Sequence, residues 1–322
     1  MKINVGIVGA GGYTAGELLR LLIHHPNVGA VKMQSESQAS KPVTDTHKDL
    51  IGECDLVFME SLDDNDVDVI FLCKGHGQSE KVLADHPEYL GKIVIDLSQD
   101  YRLAGDHSFV YGLPEFNRTA IKSTQLLANP GCFATSIQLG ILPAVAGGFV
   151  EGDIHISGIT GSTGAGQSLS ATSHYSWRNA NASVYKAFQH QHLNEIGESC
   201  LTVNNEFVSE MRFIPYRGAF TRGIITTSYF KTSKSAAELQ SQYERFYADH
   251  PFTHVSSINP DVKLVVNTNK CLVFVDKIGD QAMAISVIDN LLKGASGQAV
   301  QNMNLMLGFD EQTGLGLKGT GF

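Results

Sequence analysis

The segment at the start of this chain constrains its fold more than any other. Ile3–Val8 is a short run of β-branched and apolar residues, and the glycine-rich sequence Gly9–Gly16 follows it directly. The apolar residues of the next segment, Ala15–Ile23, recur at helical spacing. A β-branched run, a glycine turn and a helical pattern in this order predict a strand, a tight turn and a helix. We therefore expect the chain to begin with an α/β unit.

Further strands and helices alternate through the first 130 residues. Val67–Cys73 and Lys92–Leu97 are mostly apolar, without the alternation of a half-buried strand, which is typical of strands that are buried on both faces. A strand is also predicted at Val28–Met33 and a helix at Gln78–Asp85. Alternation of this kind indicates a parallel sheet with helices on both sides. The sequence therefore predicts a Rossmann-type α/β dinucleotide-binding domain over residues 1–130.

The pattern changes after about residue 150, where long strand-like runs dominate and Ser235–Ala248 is the one clear helix. The predicted strands are Ile154–Thr160, Phe207–Pro215, Gly223–Thr232, Val262–Val266, Lys270–Val275 and Ala282–Val287. Many strands with few helices indicate an α+β domain with a mostly antiparallel sheet. We expect this second domain over residues 131–289. A C-terminal helix at 290–322 is expected to pack back on the first domain.

Composition and charge narrow the class of protein. The chain has 322 residues, and its net charge is 24 − 33 = −9 with neutral histidines. Nucleic acids are bound through clustered Lys and Arg, so we expect no nucleic-acid partner. No stretch reaches the roughly 20 apolar residues of a membrane span, and the short N-terminal run predicts a strand rather than a signal peptide. Five scattered cysteines without a CxxC pair fit a reducing compartment, and we expect a cytoplasmic protein.

The first turn predicts a nucleotide site. Gly-x-Gly after a first strand lets a pyrophosphate approach the N–H groups of the following helix. Thr14 stands where the third glycine of GxGxxG falls, so the motif is incomplete. After the second strand, Glu36 can accept a ribose hydroxyl of NAD, whereas serines with Lys41 can hold the 2′-phosphate of NADP, which the sequence mildly favours. The predicted cofactor-binding residues of these segments are Gly9, Gly11, Gly12, Tyr13, Thr14, Ser35, Ser37 and Lys41.

Two further segments contain candidate anion-binding and reactive side chains. In Asp96–Leu103, Arg102 is a candidate clamp for a phosphate or carboxylate, with Ser98 as a second donor. In Asn129–Thr135, a Pro-Gly turn leads into Cys132 at the predicted start of a helix. The N–H groups at a helix start stabilise a thiolate and lower the pKa of a thiol. Cys132 is therefore either a nucleophile or an inert thiol, and a nucleophile needs a base.

The segment Tyr185–Ile196 contains a candidate base. His190 and His192 alternate there, and the carboxylate of Glu195 can orient one of them. Because no further Cys or carboxylate stands at metal-site spacing, we expect no metal. The glycine-rich segment Gly158–Gly166 lacks the Gly-Lys-Ser/Thr of a Walker loop. It is either a loop that closes on a ligand or a mobile linker.

Taken together, these segments resemble the N-acyl-γ-glutamyl-phosphate reductase family of arginine biosynthesis, the N-acetylglutamate-semialdehyde dehydrogenases. The resemblance covers nearly the whole chain in order. The matching segments are GAGGYTAGELLR, DLSQDYRL, YGLPE, NPGCFAT, GSTGAG, YKAFQHQHLNEI, PYRGAFTRGI and DNLLKGASGQAVQNMN. The combination of NPGC[FY]xT with His-x-His-x-x-Glu-Ile is specific, whereas none of these segments is specific alone.

The resemblance implies a reaction and residue roles. Cys132 would attack an acyl phosphate, expel phosphate and form a thioester, and NADPH would reduce it to the semialdehyde. His190 would be the general acid/base. The implied substrate contacts are Ser98, Arg102, Glu115, His192, Glu195 and Arg222, and the further implied cofactor contacts are Ser162, Gly164 and Asn290. The resemblance also implies that residues 131–289 form a catalytic and oligomerisation domain, and that the protein is a homodimer or homotetramer.

Departures from the family pattern leave the substrate open. The family often has His-Arg-His-x-Pro-Glu, and here Gln191 replaces the Arg and Asn194 the Pro. The missing cation makes N-succinyl-glutamyl phosphate an alternative to the N-acetyl substrate. A related semialdehyde dehydrogenase acting on aspartyl phosphate or carrier-bound aminoadipyl phosphate is a second alternative. A catalytically inactive nucleotide sensor is the alternative from another functional class.

Overall fold

The computed structural model of the protein describes residues 2–321. The chain divides into two compact units. Unit 1 comprises Met1–Pro130 and Ala295–Gly316, and unit 2 comprises Gly131–Gly294 and Leu317–Phe322. In the part of the chain that the structure describes, no helix combines the length and the apolar character that a bilayer crossing requires.

Unit 1 is built on a six-stranded sheet in the order β2-β1-β3-β4-β6-β5, in which all neighbouring strands are parallel. Its strands are β1 (Ile3–Val8), β2 (Val28–Gln34), β3 (Val69–Leu72), β4 (Ile93–Asp96), β5 (Val110–Tyr111) and β6 (Leu126–Ala128). Every residue of β3 is buried, as expected of a strand covered on both faces. The predicted parallel sheet is confirmed, although the sequence patterns do not predict β5 and β6.

The helices of unit 1 are α1 (Tyr13–Leu22), α2 (Ser79–Asp85), α3 (Pro114–Ile121) and α8 (Gly297–Met306). α1 buries its leucines along one face because they recur at helical spacing. α8 comes from the end of the chain and packs against α1 and α3. Asn302 of α8 is buried and donates to the carbonyl of Gly112 at 2.8 Å. Hydrogen bonds as well as apolar packing therefore hold α8 in unit 1.

Unit 2 is built on a seven-stranded sheet in the order β11-β12-β13-β10-β7-β9-β8. Its strands are β7 (Glu151–Thr160), β8 (Ser183–Val184), β9 (Met211–Arg217), β10 (Ile224–Lys231), β11 (Thr253–Val255), β12 (Cys271–Ile278) and β13 (Gln281–Ile288). The pairs β7–β9 and β11–β12 are parallel and the other pairs are antiparallel. In β10 every second residue is buried, which is the pattern of a sheet with one covered face. The predicted α+β architecture with a mostly antiparallel sheet is confirmed.

The helices of unit 2 are α4 (Cys132–Ala146), α5 (Tyr175–Arg178), α6 (His192–Val203) and α7 (Ala236–Tyr247). α4 is buried along nearly its whole length, between the sheet strands β10 and β13 on one side and α6 and α7 on the other. Ser235 caps α7, because its Oγ accepts the N–H of Glu238 at 3.2 Å while the Glu238 carboxylate accepts the N–H of Ser235 at 2.8 Å. The predicted start of this helix is confirmed.

Two predicted elements are wrong. The run Val262–Val266 is no strand, since it contains the 3₁₀ turn Val262–Leu264 and buries only Val265. A short apolar run without a pairing partner does not distinguish a strand from a turn. The segment 290–322 is not one helix, because α8 ends at Met306 and Gly308 follows with a φ of 69°. Its last residues, 317–322, belong to unit 2. Met1 and Phe322, the end residues of the predicted domain ranges, lie outside the described residues.

Candidate active site

Cys132 is the first residue of α4, as the sequence predicts. The residue before it, Gly131, has an extended backbone with φ −69° and ψ 151°, and no side chain among the described residues caps this helix. The N-terminus of the helix favours the thiolate of Cys132 electrostatically. Cys132 is partly exposed, whereas Cys200 is buried and burial raises the pKa of its thiol to about 12. Exposure and helix position therefore distinguish Cys132 from Cys200, and its role as the reactive thiol stays a prediction.

Two glycines allow other groups to approach the thiol closely. A Cβ atom on Gly131 would lie 2.3 Å from Nε2 of His192. A Cβ atom on Gly294 would lie 2.9 Å from the Cβ of Cys132. No side chain fits at these distances, so both positions need glycine. The imidazole of His192 packs directly on the turn before the thiol as a result.

Glu195 holds the turn that precedes Cys132. Its side chain lies in the first turn of α6 and is 3% exposed. Oε2 accepts the N–H of Gly131 at 3.1 Å, and Oε1 lies 3.8 Å from Nε2 of His192. A carboxylate that accepts a backbone N–H forms a strong, charge-assisted hydrogen bond. The contacts of Glu195 and His192 in the structure position the thiol, and their predicted contact with substrate stays a prediction.

His190 is buried, and a strained segment leads to it. Lys186 and Phe188 both adopt the left-handed backbone region, with φ of 45° and 61°. Such residues cost of order 1–3 kcal/mol each and cluster at functional sites. Nδ1 of His190 accepts the N–H of His192 at 3.3 Å.

The surroundings of His190 keep its imidazole neutral. Burial, and to a lesser degree the positive charges of Lys186 and Arg217, lower the pKa of His190 to about 4. At neutral pH the ring is therefore uncharged and can accept a proton. The aromatic rings around it, at centroid distances of 5.8, 5.8 and 5.4 Å, are those of Phe133, Tyr185 and Phe213.

The glycine-rich loop after β7 is an ordered turn. Ser162–Ala165 forms a 3₁₀ turn, and the hydroxyl of Thr163 donates to the carbonyl of Thr221 at 2.7 Å. Asn290 donates from Nδ2 to Oγ1 of Thr163 at 3.0 Å and accepts the N–H of Gly223 at 2.7 Å. The segment is therefore a hydrogen-bonded turn, and its closure on a ligand stays a prediction. Asn290 connects this loop to the next turn, and cofactor contacts of Ser162, Gly164 and Asn290 stay predictions.

Arg222 forms a bidentate ion pair with a buried carboxylate. Its Nε and Nη2 donate to Oδ2 and Oδ1 of Asp289 at 3.1 and 3.2 Å, and Asp289 has no solvent exposure. Asp289 also accepts the N–H groups of Asn267 and Leu291 at 2.7 and 2.8 Å. Because Asp289 balances the guanidinium charge, Arg222 offers an anionic substrate less net charge than the sequence suggests.

In unit 1, the first glycine turn lies beside a cleft of about 400 Å³. Gly9 has a φ of 83°, and Cβ atoms on Gly11 and Gly12 would meet no atom within 4 Å. These glycines therefore leave the backbone at the start of α1 accessible from the cleft. Nζ of Lys74 donates to Oε1 of Glu36 at 2.9 Å. The lining residues are the predicted Gly9, Gly11, Gly12, Ser35 and Ser37, together with Glu36, Cys73, Lys74, Gly75 and Gln78.

Other predicted contacts in unit 1 lie elsewhere. Tyr13, Thr14 and Lys41 are not among the described residues that line the cleft; Tyr13 and Thr14 are the first two residues of α1, and Lys41 donates to a neighbouring glutamine at 3.2 Å. Glu115 is buried in the first turn of α3. Within residues 2–321, no group of three or more His, Cys, Asp or Glu side chains is arranged to hold a metal ion.

Ser98 and Arg102 belong to one buried network in unit 1. The hydroxyl of Ser98 donates to Oδ2 of Asp96 at 2.7 Å. Nε and Nη2 of Arg102 donate to the carbonyls of Asn129 and Leu97 at 2.9 and 3.0 Å. Burial raises the pKa of Asp96, and serine hydrogen bonds and the charge of Arg102 oppose that rise. The structure shows Arg102 bound to two backbone carbonyls, and its contact with a phosphate stays a prediction.

Comparison with known proteins identifies the family. The profile of the semialdehyde dehydrogenase NAD binding domain matches residues 4–124, and that of the semialdehyde dehydrogenase dimerisation domain matches residues 132–290. The N-acetyl-gamma-glutamyl-phosphate reductase of Bacteroides fragilis is 53% identical over 99% of this chain and 100% of its own. The chain belongs to the N-acetyl-γ-glutamyl-phosphate reductase family of semialdehyde dehydrogenases.

Further relatives agree with that family and with the fold. The N-acetyl-gamma-glutamyl-phosphate reductase of Parabacteroides distasonis is 50% identical over 99% of this chain and 100% of its own. Aspartate semialdehyde dehydrogenase II of Vibrio cholerae superposes with a TM-score of 0.75 at 18% identity, over 95% of this chain and 98% of that chain. The resemblance inferred from the motifs is confirmed. The family consists of oxidoreductases that use a nicotinamide cofactor.

Sequence reasoning does not single out Lys74, Tyr185 or Arg217. Lys74 directly follows the predicted strand Val67–Cys73, and the rule that ligands bind beyond the carboxyl ends of parallel strands could have found it. Tyr185 and Arg217 meet only because β8 pairs with β9, which lies far along the chain. No local pattern predicts that pairing.

Proposed function

We propose that the protein reduces an N-acyl-γ-glutamyl phosphate, with N-acetyl-γ-glutamyl phosphate as the first candidate, to N-acylglutamate 5-semialdehyde and phosphate. The reaction uses NADPH and passes through a thioester on Cys132. The observation that carries the proposal is a partly exposed thiol at the start of α4, with the neutral His190 ring 5.8 Å from the ring of the next residue, Phe133. Relatives that are 53% and 50% identical over 99% of the chain carry the name of this activity.

Cys132 and His190 share the bond-making and proton-transfer steps. As the sulfur attacks the acyl carbonyl, His190 takes the thiol proton and the bond from the carbonyl carbon to the phosphate oxygen breaks, so that phosphate leaves with the electron pair. When bound, the cofactor supplies the hydride that converts the thioester to a thiohemiacetal. His190 gives a proton to the oxygen in that step. It takes the proton back as the C–S bond breaks and the semialdehyde leaves.

The cleft at the glycine turn of unit 1 fits a dinucleotide. Gly12 precedes α1 and no side chain caps the helix there, so its first N–H groups are available to a phosphate. We infer NADP rather than NAD as the cofactor. Ser35, Ser37 and Lys74 supply donors for a 2′-phosphate at the end of β2, and Lys74 offsets the charge of Glu36.

Replacing Lys74 by methionine is expected to weaken NADP⁺ binding selectively. The lost charge-assisted hydrogen bond is partly exposed, and we expect the KM for NADP⁺ to rise about tenfold. The KM for NAD⁺, which has no 2′-phosphate, should change less than about twofold. Initial rates with each cofactor measure this, with Lys48→Met as an exposed control. An unchanged ratio of kcat/KM for the two cofactors would contradict the assignment of Lys74.

The direct test of the proposed function is an assay in the oxidative, phosphate-dependent direction. N-acetylglutamate 5-semialdehyde, N-succinylglutamate 5-semialdehyde and aspartate semialdehyde are each supplied with phosphate and NADP⁺ or NAD⁺. We expect phosphate-dependent formation of reduced cofactor with an N-acylglutamate semialdehyde, and the faster acyl derivative identifies the substrate. Faster turnover of aspartate semialdehyde would contradict the proposal, as would an absence of turnover with all three compounds.

We also propose that the chain assembles as a homodimer, or as a homotetramer of such dimers, through the uncovered face of the sheet in unit 2. α4 covers the other face of β10 and β13. On the uncovered face, Tyr229 is 45% exposed and stacks on His155 at 4.9 Å, while Ile159 is 37% exposed. The match of this unit to a dimerisation domain favours a second copy of the chain as the occupant. We place the protein in the cytoplasm, in keeping with its five free thiols.

A charge on that face is expected to separate the copies. In Tyr229→Glu, the buried carboxylates of two chains would lack partners, which costs several kcal/mol. Sedimentation velocity should show wild type at a multiple of the chain mass and Tyr229→Glu at the mass of one chain. Tyr175→Glu, at a residue that is 76% exposed in α5, is the matched control and should keep the wild-type mass. A monomeric wild type would refute the assembly.

A further inference from the structure

We propose that Arg217, supported by Arg178, binds a carboxylate of the substrate. The inference rests on the proposed function, because it names a substrate contact for that reaction. Arg178 is not among the substrate contacts that the sequence implies, and Arg217 lies in the segment PYRGAFTRGI, from which the sequence implies only Arg222 as a contact. The carboxylate has two sources in the candidate substrates, the α-carboxylate of the glutamyl group and the terminal carboxylate of an N-succinyl group.

Arg217 and His190, the proposed general acid/base, both lie against the ring of Tyr185. It is the last residue of β9, where it pairs with Ser183 of the edge strand β8. Its Cζ lies 4.8 Å from the ring centroid of Tyr185. The Tyr185 ring lies 5.8 Å from the ring of His190. The strand pairing therefore places a guanidinium beside the reactive groups of unit 2.

Arg178 is hydrogen-bonded to the backbone of Arg217. Its Nη1 donates to the carbonyl of Arg217 at 2.8 Å, and its Nη2 donates to the carbonyl of Thr172 at 3.1 Å. Arg178 is only 8% exposed. Burial lowers the pKa of Arg178, and the positive charge of Arg217 lowers it further. The two cations are therefore close enough to repel each other.

No acidic side chain balances this pair. Among residues 2–321, neither Arg178 nor Arg217 forms an ion pair with a carboxylate. Arg212, on the same strand, does pair with Asp153 at 3.2 Å and also with Glu210. Buried charges in proteins are normally paired, because an unpaired charge loses the stabilisation of water. An anionic ligand would supply the missing charge.

The charge of Arg217 acts on the groups that carry the chemistry. It contributes to the lowering of the pKa of His190 to about 4. Burial and the charge of Cys132 raise the pKa of Tyr185 to about 12, and Arg217 opposes that rise. The phenol of Tyr185 thus interacts electrostatically with the thiol and with the guanidinium, and the guanidinium also interacts with the imidazole of His190. A substrate bound as a thioester on Cys132 would present its carboxylates in this region, and a guanidinium binds a carboxylate with two parallel hydrogen bonds.

The test measures KM and kcat for Arg217→Gln and Arg217→Lys with N-acetyl- and N-succinylglutamate 5-semialdehyde. In Arg217→Gln we expect KM to rise about tenfold to a hundredfold, which corresponds to about 1.4–2.8 kcal/mol. We expect kcat to stay within about threefold of wild type, and Arg217→Lys to recover part of the lost affinity because it keeps the charge. Arg212→Gln is the matched control, since Arg212 already has acidic partners. Thermal unfolding of each variant checks that it is folded.

Each outcome supports or overturns the inference. A KM rise for both semialdehydes supports it and assigns the α-carboxylate to Arg217. A rise for the N-succinyl compound alone supports it and assigns the acyl carboxylate. An unchanged KM in folded Arg217→Gln overturns the inference, whether or not kcat falls. Turnover by wild type would still leave the proposed function intact in that case. If wild type oxidises neither compound, the proposed function fails and the inference fails with it.

Discussion

Cys132→Ser is expected to abolish turnover while the protein still binds its cofactor. In the proposed mechanism the thiolate is the nucleophile that forms the thioester, and a serine hydroxyl at the start of α4 is not ionised near neutral pH. We expect the phosphate-dependent oxidation of the semialdehyde to fall by at least about 10³-fold, to the limit of the assay. Steady-state rates and a cofactor-binding titration measure the two parts of the prediction.

Another thiol of the chain provides the control for this variant. Cys54→Ser removes a partly exposed thiol from unit 1 and should leave kcat unchanged. Burial raises the pKa of the thiols of Cys73 and Cys200 to about 12, so neither can replace Cys132 as a thiolate. Substantial activity in Cys132→Ser would rule out the covalent mechanism through this thiol.

His190→Asn is expected to lower kcat by several hundred-fold or more. Proton transfer by a positioned side chain is worth roughly 10²–10⁴-fold, and asparagine cannot carry the proton. The loss of kcat in His192→Asn should be smaller, because His192 contacts Gly131 and Glu195 and has no proton-transfer role in the proposed mechanism. A larger loss in His192→Asn than in His190→Asn would reverse the assignment of the two histidines.

The same variant should change the acid stability of the protein. Burial lowers the pKa of His190 from 6.5 to about 4, so between these values the unfolded chain binds more protons than the folded one. The stabilisation from the neutral, buried ring is complete above pH 6.5 and is lost as the pH falls towards 4. The free energy of unfolding of wild type should therefore fall more steeply over this range than that of His190→Asn. His24→Asn, at a solvent-exposed histidine, should follow wild type; equal slopes for all three proteins would contradict the burial effect.

Much of the secondary structure follows from local patterns in the sequence. Continuous apolar runs predict β3 and β4, and alternation predicts β10, because burial on two faces or on one face leaves these periodicities. The start of α4 follows from its Pro-Gly turn. The wrong strand at Val262–Val266 shows the limit of this reasoning, because a short run carries no information about a pairing partner.

The candidate site is only partly predictable. Residue type and order predict Cys132 and His190 as candidates, but they do not predict the surroundings that shift the pKa of His190. Arg222 and Arg102 look alike in sequence as free cations, yet one pairs with Asp289 and the other bonds to backbone carbonyls. Arg217 shows the reverse case, since its position near Tyr185 depends on strand pairing between segments that are distant in the chain. Local patterns cannot reveal such contacts.

The most direct test of the central claim is the mass of the protein after it reacts without phosphate. Wild type is mixed with NADP⁺ and an N-acylglutamate 5-semialdehyde, and phosphate is left out so that the thioester cannot be released as acyl phosphate. The account predicts one equivalent of NADPH per chain and a mass increase of one N-acylglutamyl group on the peptide that contains Cys132. Unmodified Cys132 in wild type would contradict the account, as would the same NADPH formation and the same mass increase in Cys132→Ser.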